Sequence, residues 1–334
     1  MSCDTATIID TEAGSGPGVT RPAPIDQRPF FVILNSGSGR GDADAASATI
    51  KSVLAGAQRP FELLPVHGGS ELPGIASRAV EQARRRHGIV VAAGGDGTLN
   101  TVCEAVIGTG VPLGVVPLGT FNYFARNQGL PLDTGEAARA LLDARIEPVQ
   151  VGELNHRIFL VNASLGLYPQ LLEDRETYKR HLGRNRLVAL VSALVTLLHA
   201  HRTLAVQMEI EGESKNLRTV SLVVANNALQ LQHIGVELGG ALQRGCLVAM
   251  KVRPIGKLAL YGLLLRGLLR RLGEAENLDS FSFTQMRVRR GGGRRIKVAL
   301  DGEVSWMRLP LQFNVAQHSL PLLVPRDPAQ RRRS

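Results

Sequence analysis

Apolar positions along this chain follow one regime up to about residue 150 and another beyond it. Five consecutive apolar residues, Phe30 to Leu34, read as a short buried strand, and after a Gly/Ser turn a helical period runs over residues 44–55. The unit recurs as strand 61–66 with helix 72–86, strand 89–93 with helix 98–107, and strand 113–116 with helix 121–128. Alternation of this kind predicts a parallel sheet with helices on both faces. Such sheets bind ligands beyond the carboxyl ends of their strands, where the Gly-rich stretches of this sequence fall.

After a helix at 134–144 the pattern turns to paired strands. Residues 149–154 and 158–163, separated by Asn155, His156 and Arg157, form a hairpin pattern. Helical runs at 170–181 and 187–201 precede strands at 204–211, 219–225, 246–252, 281–289, 295–300 and 311–315. The predicted fold class is α/β plus β, a parallel-sheet domain followed by a mainly antiparallel β-sandwich with helical insertions. The expected division is a leader over 1–27, an α/β nucleotide-binding domain over 28–149, a β domain over 150–325, and a basic tail over 326–334. The leader is rich in Gly, Pro, Ser and Thr and has too little apolar surface to offset the entropy of ordering.

Composition narrows the function. A formal net charge of +10 favours an anionic partner, such as a nucleotide, a nucleic acid or an acidic membrane surface. Aromatic residues make up only 4% and no recognition motif accompanies the charge, which argues against nucleic acid. Three cysteines without metal spacing, and a start lacking the basic and apolar regions of a signal peptide, point to the cytoplasm. No apolar run reaches the roughly 20 residues of a membrane span. The 257–271 run combines leucines with basic residues, the 187–198 run is uncharged and mainly apolar, and each suits either an ordinary packed helix or one lying on an anionic membrane surface.

Four stretches carry candidate chemistry. Asn35-Ser36-Gly37-Ser38-Gly39-Arg40-Gly41 lies between a strand and a helix, where freed backbone N–H groups can surround phosphate oxygens. A plain strand-to-helix turn accounts for it equally well. Gly94-Gly95-Asp96-Gly97-Thr98-Leu99-Asn100 repeats the arrangement with a carboxylate, a hydroxyl and an amide, a set that a bland turn does not need. Pro117-Leu118-Gly119-Thr120-Phe121-Asn122-Tyr123-Phe124-Ala125-Arg126 brings the Thr120 hydroxyl and Asn122 amide to the same sheet edge. Asp301-Gly302-Glu303 ends a strand in the second half. If extended, it projects two carboxylates to one face, suited to a magnesium network and a general base. An Asp-Gly hairpin turn is the alternative reading.

Together these motifs resemble the diacylglycerol kinase catalytic-domain family, which includes bacterial lipid kinases and the sphingosine and ceramide kinases. The resemblance runs from about Phe31 to Pro325. It implies an ATP- and Mg2+-dependent kinase for a lipid hydroxyl, with its active site in the cleft between an α/β and a β domain. It also implies that Asn35, Gly37, Gly39, Gly94, Gly95, Asp96, Gly97, Thr98, Leu99, Asn100, Gly119, Thr120 and Asn122 bind ATP. Asp96, Asp301 and Glu303 become the catalytic acids near magnesium, with Glu303 as proton acceptor. The implied partners are a nucleotide and a lipid substrate at a membrane surface, met peripherally from the cytoplasmic side.

The sequence departs from the family pattern at three points. Ser36 replaces the usual Pro, and Tyr123 stands where an acid often follows Asn122. The segment from Leu242 to Leu247 carries Arg244 where many members have an Asp-Gly pair that holds a structural magnesium. A cation there repels a divalent metal, so no structural metal site is expected. Two other functions fit parts of the pattern: an NAD-kinase-like enzyme acting on a soluble nucleotide, and a non-catalytic nucleotide- or lipid-binding relative.

Overall fold

The computed structural model describes residues 27–35, 40–173, 203–210, 212–254, 256, 259, 262, 266, 275–291, 294–327 and 331. The leader up to residue 26, Gly37 and Gly39, the 187–201 run, and most of the 170–181 and 257–271 runs lie outside these residues. The chain divides into two compact units. One comprises Met1–Val149 with His318–Ser334 and the other comprises Gln150–Gln317.

The first unit is built on strands β1 (Phe30–Leu34), β2 (Phe61–Pro65), β3 (Ile89–Gly94), β4 (Leu113–Pro117) and β5 (Ala144–Val149), joined by the C-terminal β18 (Leu320–Pro325). Their order in the sheet is β2-β1-β3-β4-β18-β5. All neighbours pair parallel except β18 with β5. Continuous apolar runs such as Phe30–Leu34 are buried along their whole length, because helices cover both faces of the sheet. Helices α1 (Arg40–Gly56) and α5 (Thr134–Leu142) pack together on one face, where Ile50, Leu54 and Leu141 meet Phe30, Val32, Ile89 and Val91. Helices α2 (Leu72–Arg85) and α3 (Asp96–Val106) pack on the other. Between β4 and α5 the chain makes only a five-residue helix, α4 (Tyr123–Asn127).

Two expectations are corrected here. The sequence reading carried the second domain to residue 325, but β18 inserts between β4 and β5 of the first sheet. The 149–154 run is also not one strand: Val149 ends β5 in this unit, while β6 (Gly152–Leu154) belongs to the next.

The second unit contains two six-stranded antiparallel sheets. One has the order β10 (Glu213–Thr219), β9 (Leu204–Ile210), β14 (Gln285–Arg289), β17 (Leu311–Val315), β6, β7 (Arg157–Phe159). The other runs β13 (Leu278–Phe283), β12 (Leu247–Val252), β11 (Ser221–Ala225), β8 (Asn162–Gly166), β15 (Arg295–Leu300), β16 (Glu303–Arg308). Alternate residues of both sheets, among them Phe159, Val206, Val288, Phe313, Leu165, Leu222, Phe283 and Val298, form one apolar core, as expected of a sandwich. Short helices α6 (Ala228–His233) and α7 (Gly239–Gln243) follow β11.

Candidate functional site

In the first unit β1 and β3 are neighbours, yet the crossovers that leave them run to opposite sides of the sheet, so their carboxyl ends flank a topological switch point. Backbone bonds fix the strand exits. The Asn35 N–H donates to the Ala93 carbonyl at 2.8 Å, and the Leu118 N–H donates to the Gly94 carbonyl at 2.9 Å. Side chains reinforce this, with the Asn35 amide donating to the Thr98 hydroxyl at 2.9 Å. The first and second Gly-rich stretches therefore meet through named atoms.

The glycines at this edge are required by space. A Cβ on Gly94 would lie 2.7 Å from both Cβ and Oγ1 of Thr98. One on Gly119 would lie 2.7 Å from Asn122 Oδ1 and 2.8 Å from the Gly95 Cα, so the second and third loops touch backbone to backbone. Gly95 caps α3 in an extended conformation and supplies no side-chain acceptor. The first intrahelical bond runs from the Leu99 N–H to the Gly95 carbonyl, leaving the Asp96, Gly97 and Thr98 N–H groups ahead of it at the positive end of the helix. This is the geometry that binds phosphate.

Asp96 does not cap its own helix. Its carboxylate accepts from the Phe124 N–H at 3.4 Å, joining the start of α3 to the start of α4. Burial raises the Asp96 pKa above the ordinary aspartate value, against the pull of the Tyr123, Phe124 and Asn122 N–H groups and the charge of Arg126. Asn122 adopts the left-handed conformation at φ 49°. Its amide is engaged within the loop, accepting from the Gly119 N–H at 3.0 Å and donating to the Gly119 carbonyl at 2.7 Å. Asn122 thereby shapes the Gly119–Thr120 turn, and the Leu99 side chain is buried. Gly97 and Thr120 are exposed. The Phe121 and Tyr123 rings stack at 5.6 Å beside them.

In the second unit Asp301-Gly302-Glu303 is a hairpin, not an extended strand. Asp301 at φ 46° and Gly302 at φ 94° form the two-residue turn between β15 and β16, with Leu300 opposite Glu303. The Asp301 carboxylate accepts three backbone N–H groups, from Leu160 at 2.7 Å, Val161 at 2.8 Å and Asn162 at 2.9 Å. Through these bonds the Asp301 oxygens hold the chain entering β8. Glu303 stands exposed at the first position of β16. Among the described residues no group of three or more His, Cys, Asp or Glu is placed to hold a metal. Sequence reading missed the Leu160–Asn162 clamp because those residues contribute only backbone N–H groups.

Comparison with known proteins matches residues 29–154 to the diacylglycerol kinase catalytic domain. A Pseudomonas aeruginosa protein named "Probable lipid kinase YegS-like" is 43% identical over 114 residues, 33% of this chain and 37% of its own length. A Bacillus subtilis diacylglycerol kinase is 27% identical over 259 residues, covering 75% of this chain and 82% of that one. The chain spans less than half of the first of these relatives, and likewise only 47% of a Synechocystis protein that is 26% identical to it. In fold it is similar to a diacylglycerol kinase from Bacillus anthracis, with a TM-score of 0.63 at 18% identity over 91% of this chain and 98% of the other. The loops described above fall inside the matched segment, whereas Asp301 and Glu303 fall outside it. The likeness to the diacylglycerol kinase catalytic domain therefore rests on residues 29–154, the segment that holds the three strand-end loops.

Proposed function

We propose that this protein transfers the γ-phosphoryl group of ATP to the hydroxyl of a lipid. The observation that carries the reading is the convergence of Asn35, Gly94–Thr98 and Gly119 around the uncapped start of α3, inside the segment that matches the catalytic domain. There the Asp96, Gly97 and Thr98 N–H groups are positioned to bind the phosphates, and the exposed Thr120 hydroxyl extends the same edge. Phosphoryl transfer requires mainly positioning and stabilisation of charge on the transferring oxygens, which fixed backbone donors supply without reorganisation.

Magnesium binds kinase sites through one or two carboxylates together with substrate phosphates, and it would neutralise charge on the transferring group. Asp96, Asp301 and Glu303 are the carboxylates that would hold it, and the Asp301 carboxylate also accepts three backbone N–H groups. Glu303, exposed and outside the backbone clamp, fits the role of accepting the proton from the lipid hydroxyl.

Incubation with labelled ATP and Mg2+ against diacylglycerol, a sphingoid base, an isoprenoid alcohol and, in parallel, NAD tests the proposal. A labelled lipid is the expected product. Labelled NADP would show the soluble-nucleotide reading instead, and ATP binding without any product would show a non-catalytic relative. Glu303→Gln is expected to abolish most turnover while leaving nucleotide affinity unchanged.

A further inference from the structure

Strands β15 and β16 form the end of one sheet of the second unit, with β16 at the edge. Their alternation is well defined: Ile296, Val298, Leu300 and Met307 point into the sandwich core. The residues between them take the opposite face, where Arg295 lies directly across from Arg308 and Lys297 directly across from Trp306. Like charges facing each other across a ladder destabilise the pair, so the Arg295–Arg308 register needs an account outside folding.

Three further arginines gather at the same place. Arg289, Arg290 and Arg294 join Arg295 and Arg308 around a hollow of ≈ 600 Å³ that Leu309 and Pro310 also line. A second hollow of ≈ 620 Å³ shares Arg290 and Arg295 with the first and adds Arg218, Lys297 and Trp306. Among the described residues two ion pairs reach this surface: Arg289 with Glu209 at 3.8 Å and Lys297 with Glu173 at 2.7 Å. No described carboxylate forms an ion pair with Arg290, Arg294, Arg295 or Arg308. Trp306 is 64% exposed, with the Lys297 ammonium 5.3 Å from its ring centre.

We infer that this face is a docking surface for an anionic phospholipid bilayer. Guanidinium groups pair with phosphate through two parallel hydrogen bonds, so a cluster of them suits a layer of phosphate headgroups. Tryptophan prefers the membrane–water boundary, where its apolar body and its N–H are both accommodated, and arginine stems can lie along the same boundary. The surface therefore combines the charge complementarity and the aromatic anchor that interfacial binding uses. The choice of a bilayer over another polyanion rests on the lipid-kinase reading above.

Trp306 is the sole tryptophan, so its emission reports this surface directly. The full-length protein, without nucleotide, is mixed with vesicles of phosphatidylcholine alone or of phosphatidylcholine with phosphatidylglycerol. A blue shift and co-sedimentation with the anionic vesicles only, both weakened by salt, are expected. Arg295→Gln and Arg308→Gln should each weaken partitioning about fivefold. Both variants should keep the parent's thermal midpoint, since each removes a like-charge contact. Trp306→Ala should weaken sedimentation further.

An unshifted Trp306 spectrum, equal binding to neutral vesicles, or full binding by the arginine variants would overturn the inference. Quenching of Trp306 by a single-stranded oligonucleotide while anionic vesicles leave it unchanged would overturn it in favour of nucleic acid. Phosphorylation of a short-chain, water-soluble acceptor separates this proposal from the kinase reading. Vesicle binding without any phosphoryl transfer counts against the kinase alone, and transfer without vesicle binding counts against the docking surface alone.

Discussion

Asp96 is held where its charge is disfavoured: burial raises its pKa although three backbone N–H groups and Arg126 pull the other way. A carboxyl whose folded pKa lies above its unfolded value contributes stability that is fully present below the unfolded value, near 3.8, and is lost as pH rises through the folded value. At neutral pH the carboxylate thus weakens the fold, as residues kept for function often do. Asp96→Asn, which can still accept from the Phe124 N–H, is expected to match or exceed the parent's thermal midpoint at pH 7 and to lose that advantage below pH 3.8. Phosphoryl transfer should fall at least about tenfold in the same variant, an order-of-magnitude estimate for a carboxylate proposed to hold the metal beside the transferring phosphate. A midpoint that drops at neutral pH while turnover persists would make Asp96 a structural residue. Gly94→Ala carries a different expectation. The added methyl would lie 2.7 Å from the Cβ of buried Thr98 and push it off the Asn35 amide, so nucleotide affinity should fall and the first unit should lose about 1–3 kcal/mol of stability. The importance of Asp96 and Gly94 was legible in the motif itself. The backbone hydrogen bonds of Asn122 and Asp301 were not, because a formula of residue types does not show which side chains also brace the backbone.

At the scale of elements, the β15–β16 hairpin separates two neighbouring acids by role. Asp301→Asn keeps a residue that tolerates the left-handed conformation but replaces one acceptor oxygen with a donor facing a backbone N–H. Loss of a hydrogen bond to a charged group costs about 1.5–3 kcal/mol, so the variant should destabilise the second unit by about 2 kcal/mol in urea titration. Glu303→Gln, at an exposed position, should leave that titration unchanged and lose transfer. The reverse pattern would exchange the two assignments. The same region shows why strands were read unevenly. Runs with unbroken alternation, such as Arg295–Leu300 and Leu311–Val315, had legible limits. The 281–289 run contained its own correction: core positions Phe281 and Phe283 are followed by Met286 and Val288, a slip in the period of two. The chain changes sheet there, between β13 and β14. Strand β10, Glu213–Thr219, had no apolar alternation to read, since it lies at a sheet edge and is exposed along most of its length.

For the molecule as a whole, the chain leaves the first unit after Val149, builds the second, and returns at His318. The return was hidden in the sequence because Leu320–Pro325 reads as a strand whichever sheet accepts it; only its pairing with Leu113 of β4 and with all of β5 assigns it. The consequence is that a sheet assembled mainly from residues before 150 is completed by residues 320–325. Leu322 is fully buried between β4 and β5, so truncating it leaves a cavity as well as losing apolar burial, together worth about 3 kcal/mol. Leu322→Ala should therefore accelerate amide exchange in peptides from 29–149 and weaken nucleotide binding, while peptides from 150–317 exchange as in the parent. Leu222→Ala, in the sandwich core, should give the opposite distribution. Exchange that rises evenly across both segments in both variants would mean that the two units unfold as one. Faster exchange confined to 150–317 in Leu322→Ala would remove β18 from the first sheet.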